Sequence, residues 1–131
     1  MRKREPGANL RAKTLEDLFD DDPTSWIKHD LASWKGMPRG DFGRTLLETR
    51  LDPKRLAGRR VAMCLVGGAF QVCGKGMDSR FRRLVAKLAK RIAKMRDLPT
   101  PDKYDEWNFV VRFNNDDATT FEDIKKVVKG L

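Results

Sequence analysis

The sequence predicts an α+β fold, an α-β-β-β-α antiparallel sheet covered by two helices, with an added C-terminal strand and helix. Three observations carry that expectation. Residues 44–51 (RTLLETRL) alternate between an apolar and a charged face. The apolar runs VAMCLV and AFQVC flank Gly67-Gly68 as the arms of a hairpin flank a two-residue turn. Residues 78–96 repeat apolar side chains at helical spacing with cations opposite.

The elements follow in chain order. Residues 1–13 hold Pro6, Gly7, many charges and only Leu10 of any apolar size, the composition of a mobile arm. Thr14 to Asp17 has the form of a capping box, with Leu15, Leu18 and Phe19 as a short apolar face. Asp22-Pro23 is a stronger helix start, a cap followed by proline at the first helical position. That helix runs to about Lys35, burying Ile27, Leu31 and Trp34, until Gly36 and Pro38 stop it. In the strand 44–51, Thr45, Leu47, Thr49 and Leu51 share one face; Asp52-Pro53 ends it and a basic loop follows.

Across the Gly67-Gly68 turn, Val61, Met63, Leu65, Phe70 and Val72 fall on one face of the hairpin. Ala62, Cys64, Val66, Ala69, Gln71 and Cys73 fall on the other. Cys64 and Cys73 become diagonal neighbours about 7–8 Å apart, too far for a relaxed disulfide. In the helix 78–96, capped by Asp78 or Ser79, the inward stripe is Phe81, Leu84, Val85, Leu88, Ile92 and Met95. The outward stripe is Arg80, Arg83, Lys87, Lys90 and Lys94. Beyond Leu98-Pro-Thr-Pro101, residues 106–113 alternate Trp107, Phe109, Val111 and Phe113 as a strand. Thr119 to Glu122 then opens a last helix with Phe121, Ile124, Val127 and Val128 inward. The expected division is an arm and acidic segment, partly disordered, over 1–22 and a single domain over 23–131, its core at 23–96 and a β-α extension at 97–131.

The chain has 131 residues, 28 Lys+Arg and 19 Asp+Glu, a formal charge of +9. Residues 23–96 hold 18 bases and five acids, while residues 14–22 hold five acids and no base. A field concentrated on one stretch points to a polyanionic partner. No apolar run approaches the roughly 18 residues of a spanning helix, and none follows the basic start, so neither anchor nor secretory signal is expected. Two cysteines and one histidine make neither a disulfide framework nor a zinc site, so no cofactor is expected. An intracellular, cytoplasmic protein follows, with nuclear or virion-associated placement, and viral origin, left open.

Residues 23–96 resemble the double-stranded-RNA-binding domain. The likeness lies in Pro23-Thr24-Ser25 opening the first helix and Pro38 after it. It continues in Pro53-Lys54-Arg55 between the first two strands, the Val66-Gly67-Gly68 turn, and Gly74-Lys75-Gly76 before a basic second helix. His29 stands where the family usually has a glutamate, and Lys54 and Arg55 stand in for a loop histidine. Two helix registers differ by one residue and bring either Arg82 or Arg83 to the groove. The resemblance implies a non-enzymatic protein that reads double-stranded or structured RNA by shape, phosphates and 2′-hydroxyls over about 16 base pairs. On this reading Arg80, Arg82, Arg83 and Lys87 meet phosphates across the major groove, Lys54 and Arg55 enter one minor groove, Lys28 with His29 meets the next, and Lys75 and Lys90 are further RNA-binding residues. Two alternatives use the same features. A peripheral matrix-type assembly protein would set the cations against anionic lipid. A degenerate module of the same fold would serve protein–protein contact, including a possible homodimer through its sheet or its C-terminal extension.

Other motifs are weaker. A Walker A loop ending at Lys75 would need glycine where Ala69 stands and Ser or Thr where Gly76 stands. Pro101-Asp102 with Asp123-Ile124-Lys125 spells a nuclease-like pattern, but Asp123 falls in a capped helix. His29, Cys64 and Cys73 lack ligand spacing. Trp26, Trp34 and Trp107 each fall on an inward face.

Overall fold

The computed structural model describes residues 6–37, 51–73 and 79–131. Among them are the helices α1 (Leu15–Phe19), α2 (Leu65–Cys73), α3 (Ser79–Arg96), α4 (Glu106–Asn115) and α5 (Phe121–Val128). One antiparallel ladder joins the short strands β1 (Ala32–Ser33) and β2 (Ala62–Met63), pairing Ala32 with Met63 and Ser33 with Ala62. The class is α+β, with helix in two places where the sequence pattern predicts strand.

The first of these is the expected hairpin. Only Ala62–Met63 is strand, and Leu65–Cys73 is helical. This stretch has no polar face, and a helix apolar all round is stable only when it is surrounded. Here α1, α3 and α4 surround it. Gly67 and Gly68 serve close approach instead of a turn, and neither has the positive φ that a two-residue hairpin demands. A Cβ on Gly67 would lie 2.0 Å from the Leu31 carbonyl oxygen; one on Gly68 would lie 3.1 Å from Leu15 Cδ2 and 3.2 Å from Phe19 Cζ. Phe70 stacks on Phe81 of α3 at 4.2 Å between centroids, and Trp107 of α4 meets both rings edge-on at 5.5 and 5.7 Å. The two cysteines, one before α2 and one ending it, are about 13 Å apart at 1.5 Å per residue. The diagonal pairing expected of a hairpin is therefore absent.

The second correction concerns 106–113, the expected added strand, which lies in α4. The run carries both periods, because Trp107, Val110 and Phe113 are also three apart. Packing decides between them: Val110, on the wrong face for a strand, is fully buried with Phe113 and Asn114.

The helix expected from Pro23 to Lys35 is a single 3-10 turn, Pro23–Ser25, with Asp22 as its cap, Oδ1 accepting from the Thr24 N–H at 2.9 Å. Tertiary hydrogen bonds then outbid the helix. The Ile27 N–H donates to the Met63 carbonyl (3.2 Å), the Cys64 N–H to the Leu31 carbonyl (3.2 Å), and His29 takes a left-handed φ of 71°. Residues 6–13, expected to be a mobile arm, are packed. The Ala8 N–H donates to the Val61 carbonyl (2.7 Å), the Asn9 N–H to the Leu18 carbonyl (2.9 Å), and Leu10 and Ala12 are buried. Residues 44–50 of the expected first strand, and the expected cap Asp78, lie outside the described residues.

Three helices match their sequence signals. Thr14 caps α1 through the Asp17 N–H (3.2 Å), and Leu15, Leu18 and Phe19 are buried. α3 buries Phe81, Val85, Leu88 and Ile92, with Leu84 and Met95 half-buried. α5 has its capping box at Thr120 and Asp123, one residue later than the pattern suggests.

Two buried amides tie the irregular segments to the helices. Asn114 Oδ1 accepts from the Trp26 indole (2.7 Å) and from the Leu65 N–H at the start of α2 (3.0 Å). Its Nδ2 donates to the Ile27 carbonyl (3.0 Å) and to Asn115 Oδ1 (3.1 Å). Gln71 accepts from the Leu51 N–H (2.8 Å) and donates to the carbonyls of Leu51 (2.9 Å) and Leu10 (3.0 Å).

Gly67→Ala should cost about 3 kcal/mol or more in urea unfolding, because the obstruction is backbone and cannot rotate away. A loss under about 1 kcal/mol would contradict the contact. Asn114→Leu should cost a similar amount, since it strands four partners, among them the buried Leu65 N–H and the Trp26 indole N–H. Near-neutral unfolding of that variant would show that those groups find other partners.

Candidate nucleic-acid interface

α3 is built from Ala, Leu, Lys and Arg, strong helix formers, and its apolar stripe is fixed against α2, α4 and α5. That leaves Arg80, Arg83, Lys87, Lys90 and Lys94 exposed in one line of roughly 21 Å at 1.5 Å per residue. Among the described residues none of the five has a carboxylate partner. Arg82 is exposed on the flank of this line.

The remaining cations of α3 have structural work. Arg91 donates to the carbonyls of Val127 (3.2 Å) and Lys129, capping the end of α5. Arg96 pairs with Asp123 at 3.2 Å, donates to Thr119 Oγ1 at 3.1 Å, and lies 5.2 Å from the centre of the Phe113 ring. The Asp123 of the nuclease-like pattern is therefore spent on the α5 cap and on Arg96. Asp102 accepts from the Tyr104 N–H at 2.9 Å in a local turn.

At its N-terminal end the cationic line enters a cleft of about 240 Å³. Lys13, Arg80, Arg83 and Lys87 line it with Thr14 and Cys73, beside Leu15, Val72, Leu84 and Leu131. Among the described residues no acidic side chain lines this cleft. The acids gather instead on a second cleft of about 450 Å³, where Glu16, Asp17, Asp20, Asp21 and Glu122 face Lys125, Lys126 and Lys129. There Lys125 bonds Asp21 at 2.6 Å, and that hydrogen bond pushes its ammonium pKa up.

The other predicted contacts do not join this line. Lys28 Nζ donates to the Asp116 carbonyl (2.6 Å) at the end of α4 and lies 5.5 Å from the Trp26 ring centre. The His29 N–H donates to Asn115 Oδ1 (2.7 Å), and its side chain is exposed. Lys54 and Arg55 are exposed in a turn set by Asp52 Oδ1, which accepts from the Lys54 N–H (2.9 Å). Lys75 lies outside the described residues. The Val66-Gly67-Gly68 turn of the RNA-binding resemblance lies within α2. Sequence reading missed Lys13, which it assigned to the arm; the neighbouring Thr14–Asp17 cap was the signal that this position is anchored.

Cys64 is structural: its Sγ accepts from the Gly67 N–H at 3.3 Å, capping α2. Burial pushes its thiol pKa up, against the opposing pull of that N–H. Among the described residues no group of His, Cys, Asp or Glu could hold a metal ion, and no helix is long and apolar enough to cross a membrane.

Iodoacetamide at pH 8 should therefore modify half-buried Cys73 first and reach Cys64 only on unfolding. Mass spectrometry finding Cys64 alkylated in the native protein as fast as Cys73 would contradict the capping role.

No curated protein matches this chain, and no solved structure does. Residues 16–130 match the model of a family described as a family of unknown function (DUF6197), and the chain belongs to that family.

Proposed function

We propose that this protein is a non-enzymatic binder of nucleic-acid phosphate backbones, with double-stranded or structured RNA as its partner. The observation that carries this reading is the line Arg80, Arg83, Lys87, Lys90 and Lys94, exposed and without carboxylate partners among the described residues. A rigid helix holding cations three and four residues apart meets successive phosphates without ordering long loops. Its first turn adds the positive end of the helix dipole. Contacts of this kind set position and affinity and carry no base sequence. Lys28 is engaged at the end of α4 and has no role in this reading, and Lys54 with Arg55 adds only a peripheral contact.

Duplex RNA, duplex DNA of the same sequence, single-stranded RNA and anionic liposomes should be titrated at several salt concentrations. Five phosphate contacts predict that log K falls against log salt with a slope of about −4 to −5. Arg80→Glu with Arg83→Glu should abolish binding while leaving the circular dichroism unchanged, since both side chains are exposed. Unchanged affinity in the folded double variant would overturn the assignment. Binding to liposomes alone would replace nucleic acid by a membrane surface.

A further inference from the structure

We propose that the cleft between Lys13 and the first turns of α3 seats a terminal phosphate group, one bearing two or more negative charges. This rests on the nucleic-acid reading and gives the cationic line an end. Four cations from two separate segments meet there, and among the described residues no acidic side chain lines the cleft. Like charges held together repel, and a multiply charged anion removes that cost. A backbone phosphodiester carries a single charge, whereas a phosphomonoester carries about −1.5 to −2 and a polyphosphate more. The charge of the cleft therefore favours an end group over a passing backbone.

Size and rigidity point the same way. At about 240 Å³ the cleft falls below the roughly 300–1,000 Å³ of clefts that enclose whole drug-sized ligands. It suits a phosphate head whose remainder lies outside. Both of its walls are fixed. Lys13 sits between buried Ala12 and the Thr14 cap of α1, and Arg80, Arg83 and Lys87 stand on a helix locked by its apolar face. The Thr14 hydroxyl accepts from the Asp17 N–H at 3.2 Å, so its own proton is not used in that bond. Leu84, half-buried, lines part of the same cleft beside the cations. Because Arg80, Arg83 and Lys87 also begin the line that continues to Lys90 and Lys94, a strand laid along α3 would end in the cleft.

Two sources offer such a group: the 5′ end of a nucleic acid, or a free nucleotide or polyphosphate. Fluorescence anisotropy of the full chain with one RNA hairpin, made with a 5′-triphosphate and with a 5′-hydroxyl, separates them when inorganic tripolyphosphate is titrated alongside. The triphosphate form should bind about tenfold tighter, the value of one or two charge-assisted bonds. Lys13→Gln should bring that ratio close to one. Lys90→Gln with Lys94→Gln should weaken both forms alike and keep the ratio. Equal affinity of the native chain for the two RNAs, with no binding of tripolyphosphate, would overturn the terminal-phosphate seat and leave the backbone reading standing. Tripolyphosphate binding that is lost in Lys13→Gln, with neither RNA bound, would support the seat with a free polyphosphate as its source and remove the backbone reading.

Discussion

The approach of Leu31 to the bare backbone of Gly67 is the contact on which the remaining structure depends. It brings an irregular segment against α2 at a distance no side chain permits, a Cβ there falling 2.0 Å from a carbonyl oxygen. Once Leu31 is seated, its carbonyl receives the Cys64 N–H and β1 pairs with β2. On the next residue, Gly68 admits Leu15 and Phe19 of α1. The short helix α1 and the two-residue strands could not persist alone. Each persists because α2 offers it a surface without side chains in the way.

Such a centre is expensive unless its polar groups are matched, and Asn114 and Gln71 match them. Between them they satisfy the first N–H of α2, the Trp26 indole, and backbone groups of Leu10, Ile27 and Leu51. No described buried side-chain nitrogen or oxygen lacks a partner. These bonds specify which loop lies where, something apolar contact alone leaves loose.

What was legible in the sequence divides along the same line. α3 and α5 each present one apolar and one charged face, and α1 carries a cap and a short apolar face, so local pattern located all three. α2 has no polar face, and periodicity cannot separate a buried helix from a buried strand. Its two adjacent glycines mimic a turn while serving close packing. In α4, alternating aromatics mask a three-residue repeat, and only the burial of Val110 and Asn114 resolves it. Residues 26–35 yield to partners far along the chain, which no local signal encodes. The cationic line was legible because a helix face is a local property. The cleft was not, because Lys13 reaches it only through the packing of residues 6–13 on Val61 and Leu18.

A central helix in place of a hairpin also decides what is left for function. With α2, α4 and α5 covering the apolar side of α3, its cations face outward in one line and the acids collect on another cleft. The most direct test is backbone NMR of residues 65–73. A buried helix requires positive Cα secondary shifts across Gly67 and Gly68, with contacts from Hα of each residue to the amide three positions on. Negative shifts on both sides of a turn at 67–68, with cross-strand contacts between Val66 and Ala69, would contradict the account at its centre.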